Sequence, residues 1–537
     1  MAVPVDERLP GFPDRPSDAS ATSDVHGDAR WPWLVGAVAL LAFVARIVPM
    51  LRGGGLVSSD GYDDSVYYAA ATALVHGRGP YDDFLLLHPP GLILALTPFA
   101  ALARITSDTV GQDVARVAFM LLGTLNTVLV MRIGRRFGMW AGVGAGLVYA
   151  VSFPALYAER TTTLEALGST TLLVALVLLV RPAARRAGRM SGVPASSTLA
   201  SLSRARLVGA GLALGAGAGV KIWGVVPLVV IAGWVLLTAG RRAAAWVVAA
   251  AAAAVTAICL PFFADAPSQM WRYVVVDQIG RPRTGVPILQ RLTEMAGLQF
   301  DVAHQPGALA RLTLALVLTV VAVAAVAALR TPGASVLVAL LLSQAMVLLA
   351  SPSFFLHYLT LTAAPGALVL GVGSERFRRW QQRRLPVRAG RLTTLSAVSA
   401  AAVVLGAGIP GVVHPVGKAF PPELTAAAAR TKGCITADDP TYLIEMNVLS
   451  RDFDAGCPVW VDVTGLTYDP AGGGGNGSGI HRTTDPTWQH QVMGYLLSGK
   501  ATVVARSETG LDHQSRRHVH RLPVVAHDDG FALRQVG

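Results

Sequence analysis

The chain has 537 residues, of which 53% are hydrophobic and only 15% are charged, and its mean hydropathy is +0.49. A soluble protein has about 25% charged residues, so most of this chain cannot face water. The net charge of +12 does not indicate nucleic-acid binding, because the arginines form short clusters between apolar runs, as they do beside membrane spans. Three cysteines are too few for a disulfide scaffold.

The first residues, 1–30, are polar and rich in Pro, Asp and Ser, and we expect them to form a disordered cytoplasmic tail. The apolar runs that follow predict a membrane domain over 31–412, an all-α polytopic bundle. About 11 of these runs are long enough to be transmembrane helices, because a helix needs roughly 20 apolar residues to cross a bilayer. The predicted spans are 33–51, 113–131, 139–157, 166–181, 206–220, 223–239, 244–263, 312–329, 334–350, 358–373 and 393–412.

The arginine clusters predict the side of each loop, because Lys and Arg near span ends prefer the cytoplasm. All of these clusters lie on the cytoplasmic side if the N-terminus is cytoplasmic and the number of spans is odd. We expect a multi-pass protein of the plasma membrane. The apolar stretch 91–105 is too short to span, so it is predicted as a helix in or on the outer leaflet. The clusters are 132–136, 181–189, 204–206, 241–242 and 376–391, and the outer segments are 52–112, 158–165, 264–311, 351–357 and 413–537.

Residues 413–537 differ in composition from the apolar region and predict a small extracytoplasmic α/β domain. Cys434 and Cys457 both lie in this segment, and an oxidising outer compartment would favour a disulfide between them. The strand-like stretches are Val459 to Val463, Thr502 to Val504 and Leu522 to Val525, with a Gly-rich loop at 471–479.

The first outer loop concentrates acidic residues just beyond the membrane. Asp63 and Asp64 open a helix-like stretch, and acids at a helix start are favoured by the helix dipole, by about 0.3–1 kcal/mol. Asp60, Asp82 and Asp83 add like charge to the same loop. Such crowding is unfavourable unless a cation, a metal or an acceptor hydroxyl is bound there. A functional role is favoured for Asp63, whereas capping and function are equally open for Asp64.

Two further outer positions combine a polar side chain with a helix start. His88 precedes Pro89-Pro90-Gly91, which predicts a helix whose outer N-terminus could bind phosphate; a surface histidine beside a proline turn is the alternative. In the second outer loop, Glu165 begins the next helix and Arg160 lies close before it. When Glu165 is considered alone, simple capping of the helix is the favoured interpretation.

Candidate cations lie at three more outer positions. Lys221 interrupts an apolar stretch where the topology requires an outer turn, and an ionisable residue there is a functional candidate. Arg281 and Arg283 lie in the long outer loop, where they could bind a phosphate or, non-specifically, lipid headgroups. His357 and Tyr358 lie at the outer end of a late span, where a lone histidine is more often a satisfied interface residue than a functional one.

The motifs that the chain lacks also narrow its function. There is no Gly-rich phosphate loop, no dinucleotide fingerprint and no zinc-type spacing of Cys and His. A nucleotide-driven pump is therefore disfavoured. A cytosolic nucleotide-sugar enzyme is disfavoured too, because the predicted cytoplasmic loops are short and rich in arginine.

The order of these features resembles the GT-C superfamily of integral-membrane glycosyltransferases, most closely its protein mannosyltransferase-like and lipid A aminoarabinose transferase-like branch. The resemblance covers roughly residues 30–412. Its features are Asp63-Asp64 with Tyr67, Gly-x-Gly-Pro-Tyr at 77–81, the His88-Pro-Pro-Gly motif, Glu165, and His357-Tyr358.

The resemblance implies an enzyme that moves a sugar from a polyprenyl-phosphate donor to an envelope glycan, lipid or protein outside the membrane. Asp63 matches the first-loop acid that acts as base or orients the acceptor, and Glu165 matches the second-loop acid. His88 stands where the aminoarabinose branch often has a lysine that meets the donor phosphate. Some branches need a divalent cation (Mg or Mn) and others do not.

We therefore predict a glycosyltransferase that inverts the anomeric centre in a single displacement, without nucleic acid as a partner. The main alternative is a secondary transporter or a lipid or glycolipid flippase, although the sequence shows no internal repeat and its acids collect in outer loops. A non-catalytic glycan-binding scaffold is a further alternative. The predicted site has Asp63, Asp64 and Glu165 as catalytic residues, His88, Lys221, Arg281, Arg283, His357 and Tyr358 at the lipid phosphate, and Tyr67 and Arg160 at the acceptor or sugar.

Overall fold

The computed structural model describes residues 19–56, 58, 61–180, 202–281, 285–298, 307–384, 414–465 and 482–537. The predicted span 393–412, the Gly-rich loop and the first part of the predicted tail lie outside these residues. The first helix, Ala19–Arg52, begins well before the apolar run. The last part of the segment expected to be disordered therefore has a helical backbone.

Long apolar helices form most of the molecule. In the described part of the chain six helices are long and apolar enough to cross a membrane, and a pair bent by 59° could form a seventh span. These helices show a multi-pass membrane protein, but they do not reach the predicted count of about 11 spans. The six are Ala29–Arg52, Asp108–Arg135, Ile222–Ala239, Arg241–Asp265, Ala310–Leu329 and Leu356–Arg383, and the bent pair is Met139–Val151 with Phe153–Glu159.

Several predicted spans correspond to shorter helices. Leu164–Leu179, Arg204–Val220 and Ser335–Ala350 match predicted spans in position, but each has fewer than 18 residues. Gly91–Ala103 has 13 residues and begins directly after the two prolines. The remaining α-helices are Tyr62–Val75, Pro267–Trp271, Asp277–Ile279, Ile288–Met295, Pro422–Arg430, Pro440–Glu445, Leu449–Asp454, Pro486–Leu496 and His513–Arg521.

The described C-terminal residues form an α/β unit around a four-stranded sheet with the order β1-β2-β4-β3. β1 and β2 are parallel, and β4 runs antiparallel to β2 and β3. We call residues 414–465 and 482–537 the C-terminal unit. Its apolar core is continuous with the helix Tyr62–Val75. The strands are β1 (Ile435–Ala437), β2 (Ala501–Val503), β3 (Val524–Asp528) and β4 (Phe531–Gln535).

Two of the three predicted strands overlap β2 and β3, but the stretch 459–463 is not a strand. Its backbone turns because the Asp462 carboxylate accepts a hydrogen bond from the Gly465 amide at 2.7 Å, and such local bonds compete with sheet pairing. A disulfide joins Cys434, just before β1, to Cys457, with the Cα atoms 5.5 Å apart.

Arginines predicted to be cytoplasmic meet at one end of the bundle. Arg136 donates to the Val177 carbonyl at 2.6 Å, Arg206 donates to the same oxygen at 3.3 Å, and Arg379 donates to the Phe137 carbonyl at 2.6 Å. Carbonyls in the last turn of a helix, such as that of Val177, lack helical partners, and arginines satisfy them.

The other end of the bundle carries the C-terminal unit. Asp108 begins the helix Asp108–Arg135, and its carboxylate accepts the Ser450 amide at 3.1 Å. The helix has 28 residues, so its two ends lie about 40 Å apart. Arg116 of this helix contacts Asp64, so this acid lies roughly 28 Å from Arg135 near the other end.

Candidate active site

The acids of the first and second outer loops lie on either side of one histidine. His357 Nδ1 lies 3.7 Å from Asp63 Oδ2, and His357 Nε2 lies 4.0 Å from Glu165 Oε1. The Asp63 side chain is 45% exposed, whereas that of Glu165 is 1% exposed. Asp63 is therefore the carboxylate that an incoming group can reach.

Lys221 neutralises Glu165 at the centre of the site. Its backbone is extended at the end of the helix Arg204–Val220, and its Nζ donates to Glu165 Oε1 at 2.5 Å. The same ammonium lies 3.6 Å from the ring centroid of Tyr358 and 5.4 Å from that of Trp223, where cation–π attraction adds to the ion pair. Glu165 Oε2 has no hydrogen-bond partner among the described residues.

A second cation approaches the same tyrosine from its hydroxyl end. Arg281 Nη1 donates to the Tyr358 hydroxyl at 2.9 Å. Lys221 and Arg281 thus contact the face and the hydroxyl of one ring, so two positive charges lie close together. Arg283, the other arginine predicted for the phosphate, lies outside the described residues.

His88 is buried in the site rather than exposed on the surface. Its ring lies 6.0 Å from that of Tyr67. Burial, followed by the positive charges of Arg281 and Lys221, holds the pKa of His88 well below its usual value. His88 is therefore neutral at pH 7. Its Nδ1 has no hydrogen-bond partner in the described part of the chain.

Two backbone contacts fix the segment that carries His88. The Tyr81 hydroxyl donates to the His88 carbonyl at 2.8 Å, and Gln278 Nε2 donates to the Leu87 carbonyl at 2.6 Å. Tyr81 belongs to the Gly-x-Gly-Pro-Tyr motif, so this motif has a structural role in holding the loop that carries His88.

Gly91 lets the helix Gly91–Ala103 approach the helix that ends beside Lys221. A Cβ at this position would lie 2.6 Å from the Gly219 carbonyl oxygen. Only glycine permits this contact, which brings the N-terminus of one helix next to the lysine at the end of the other.

Asp64 differs from its neighbour Asp63, because both of its carboxylate oxygens have protein partners. Oδ2 accepts from Arg116 Nε at 2.7 Å, and Oδ1 accepts from the Thr162 amide at 2.7 Å and from the Thr162 hydroxyl. Asp64 is 1% exposed. These contacts tie the first outer loop to the second, and they give no support to the predicted catalytic role of Asp64.

The two residues predicted for the acceptor or sugar lie in different surroundings. Tyr67 is buried beside the acids, and burial, followed by the charges of Asp63 and Glu165, raises the pKa of its hydroxyl above the usual value. Arg160 places its guanidinium 5.2 Å from the ring centroid of Tyr157. Tyr157 packs in the apolar cluster that contains Tyr358.

Sequence reasoning missed several residues that hold this site. Arg116 interrupts a predicted span, and an ionisable residue in that position was an available signal. Trp223 follows Lys221 directly and could have been noticed as its aromatic partner. Asp462 and Arg506 of the C-terminal unit contact Tyr62, and no local pattern indicated either.

The resemblance left open whether a divalent cation is needed. Within the described ranges, no three or more His, Cys, Asp or Glu side chains form a group that could hold a metal ion. No step proposed below uses a metal.

The helical membrane bundle, with its acids and cations gathered at the end covered by the C-terminal unit, has the fold of solved GT-C glycosyltransferases, which confirms the predicted fold. ArnT from Cupriavidus metallidurans bound to undecaprenyl phosphate is similar over 94% of this chain and 98% of its own, with a TM-score of 0.59 and 14% identity.

A second similar structure is AglB, an oligosaccharyltransferase from Archaeoglobus fulgidus, in complex with an inhibitory peptide and a dolichol-phosphate. It has a TM-score of 0.53 and 15% identity over 88% of this chain and 69% of its own. No protein-family model and no curated protein matches the sequence.

Proposed function

We propose that this protein transfers a sugar from a polyprenyl-phosphate donor to an acceptor outside the membrane. The observation that carries the proposal is the placement of Asp63 and Glu165 on either side of His357, next to Lys221. The undecaprenyl phosphate and dolichol-phosphate held by the two similar structures support a lipid phosphate as the leaving group.

The donor phosphate binds where the cations gather. Lys221 and Arg281 supply positive charge, and the buried His88 supplies a neutral imidazole that a bound phosphate would make more basic. Charge grows on the phosphate as the sugar leaves, and preorganised cations stabilise that charge. Glu165 holds Lys221 in place through the 2.5 Å contact.

Asp63 acts as the base because it is the open carboxylate of the site. It takes the proton of the acceptor hydroxyl, for which the two oxygens must approach to about 2.6–3.2 Å. The hydroxyl oxygen then bonds to the anomeric carbon while the bond from that carbon to the phosphate oxygen breaks. The lipid phosphate leaves with the electron pair, and the single displacement inverts the anomeric centre.

The same proposal includes an orientation of the chain in the plasma membrane. The arginine end, with Arg136, Arg206 and Arg379, faces the cytoplasm together with the N-terminus. The C-terminal unit and the active site then face outward, where the acceptor is an envelope glycan, lipid or protein.

The direct test incubates the purified protein with a panel of polyprenyl-phosphate sugars and envelope acceptors, and follows release of the lipid phosphate. We expect release from at least one donor, together with loss of release in Asp63→Asn. Asp82→Asn is the matched control, because Asp82 is an exposed acid of the same loop. Uptake of a substrate into vesicles without any glycosyl product would replace the proposal with a transporter or flippase.

A further inference from the structure

The residue directly before Asp63 is held by the C-terminal unit. Tyr62 begins the helix Tyr62–Val75, and its hydroxyl donates to Asp462 Oδ1 at 2.7 Å. The same hydroxyl accepts the Thr464 amide at 2.9 Å, and the Arg506 guanidinium lies 3.8 Å from the centroid of the Tyr62 ring. We call these four residues the Tyr62 clamp.

The clamp residues of the C-terminal unit are themselves fixed. Asp462 is held by the turn in which its carboxylate accepts the Gly465 amide. The segment that carries Arg506 is held by Asp438, whose carboxylate accepts the Arg506 amide at 3.2 Å and the Thr509 hydroxyl at 2.6 Å. The residues that contact Tyr62 are therefore themselves held in place by hydrogen bonds within the C-terminal unit.

Both neighbours of Asp63 in the chain are anchored, in opposite directions. Tyr62 is bound to the C-terminal unit, and Asp64 is bound to Arg116 of the bundle. The preceding Gly61 has φ 99°, in the left-handed region that favours glycine, and it gives the helix no side-chain cap. The position of Asp63 is thus set by its two neighbours, while its own side chain stays open.

We propose that the C-terminal unit positions Asp63 for transfer through the Tyr62 clamp, with Tyr62 and Asp462 as positioning residues. The inference rests on the proposed function, in which Asp63 is the base. A displacement of about 1 Å in a reacting group can cost as much as 10²-fold in rate. The clamp thereby makes the C-terminal unit part of the catalytic machinery rather than a cover for the bundle.

The test compares Tyr62→Phe and Asp462→Asn with the wild type in the lipid-phosphate release assay. Tyr62→Phe removes the hydrogen bond between the hydroxyl and the carboxylate, whereas Asp462→Asn replaces the charged acceptor with a neutral amide oxygen and weakens the bond. Both substitutions keep the size of the side chain. We expect kcat to fall by about tenfold or more in Tyr62→Phe and by less in Asp462→Asn, with the donor KM and Tm close to those of the wild type. Asp485→Asn is the matched control, because Asp485 caps a helix of the same unit through the amides of Thr487 and Trp488.

A measurement that does not depend on catalysis tests the clamp contact separately from the proposed function. Hydrogen exchange of the amides at the start of the helix Tyr62–Val75 should be faster in both variants than in the wild type. Faster exchange in the variants, together with a wild-type protein that releases no lipid phosphate from any donor, would be a failure of the proposed function and not of the clamp contact. Unchanged exchange, or faster exchange with an unchanged kcat in an active enzyme, would overturn the positioning role.

Discussion

Two buried glutamates in one short stretch of chain, Glu159 and Glu165, differ in how many of their carboxylate oxygens have partners. Glu159 Oε1 accepts from Asn126 and from the Tyr149 hydroxyl, each at 2.7 Å, and Oε2 pairs with Arg46. Glu165, six positions later, has one close partner, Lys221, and its Oε2 has none among the described residues.

The difference separates a glutamate that holds the fold from one that we propose serves the active site. Buried polar atoms in native proteins are nearly always hydrogen-bonded, and a fully satisfied network stabilises one arrangement of the helices. We call the Glu159 network, with Arg46, Asn126 and Tyr149, the structural cluster. Glu165 and Lys221, beside the open carboxylate of Asp63, form the active pair.

The largest expected effect comes from breaking the active pair. Lys221→Met leaves Glu165 as an uncompensated buried charge, which should lower the free energy of unfolding by about 3–5 kcal/mol and abolish transfer. The double variant Lys221→Met/Glu165→Leu removes both charges and should regain most of the stability without regaining transfer. Thermal unfolding in detergent and lipid-phosphate release measure the two effects. Recovery of transfer in the double variant would show that the pair has only a structural role.

A substitution in the structural cluster should lower stability without changing the rate of transfer. Glu159→Gln removes the partner of Arg46 and should also lower the free energy of unfolding by about 3–5 kcal/mol. The protein that folds should keep its kcat, because none of the contacts of Glu159 described above reaches a residue of the active site. A kcat reduced tenfold in folded protein would place Glu159 in the same functional class as Glu165.

A smaller effect is expected from Gly91→Ala. The added methyl group would lie 2.6 Å from the Gly219 carbonyl oxygen and would force two helix ends apart. Overpacking of this kind costs about 1–3 kcal/mol. Because His88 and Lys221 flank this contact, the donor KM should rise as well. An alanine variant with wild-type Tm and KM would mean that the two helices do not meet closely.

The last effect is a dependence on pH and concerns Glu445, another buried acid, at the contact between the C-terminal unit and the bundle. Burial raises the pKa of Glu445 to about 8, against the opposing charge of Arg116. The folded protein therefore keeps a proton that the unfolded chain loses above the usual value of 4.5. Stability is fully present below pH 4.5 and falls as the pH rises to about 8, by at most about 1.4 kcal/mol per pH unit.

Unfolding measurements between pH 5 and 9 check this sign. In Glu445→Gln the slope assigned to this carboxyl should disappear, while the stability at low pH stays near that of the wild type. A wild-type protein whose stability rises over this range, with the same slope in Glu445→Gln, would exclude a protonated Glu445.

Much of the bundle could be predicted from the sequence because a membrane helix needs a long apolar run, and such a run is visible without any partner. The arginine clusters predicted which loops share a side, which is why Asp63, Glu165, Lys221 and His357 could be assigned to one face before their contacts were known. The predicted strand at 459–463 failed because alternation in sequence does not reveal a turn held by its own carboxylate.

The division of roles within the site could not be predicted in this way. Asp63 and Asp64 are adjacent, but successive residues of a helix point in directions about 100° apart, so only one of them faces the open site. Which of Glu159 and Glu165 is fully bonded depends on partners far along the chain, such as Arg46. The Tyr62 clamp joins residues 400 positions apart, and no local pattern records that contact.

The most direct test of the central claim measures donor binding and lipid-phosphate release in one preparation of Asp63→Asn. If Asp63 is the base and the cations hold the phosphate, the variant should bind the donor with a Kd close to the wild-type value. Release should be slower by about 10²-fold or more. Release at the wild-type rate would contradict the account, and so would a loss of donor binding in a variant that folds normally.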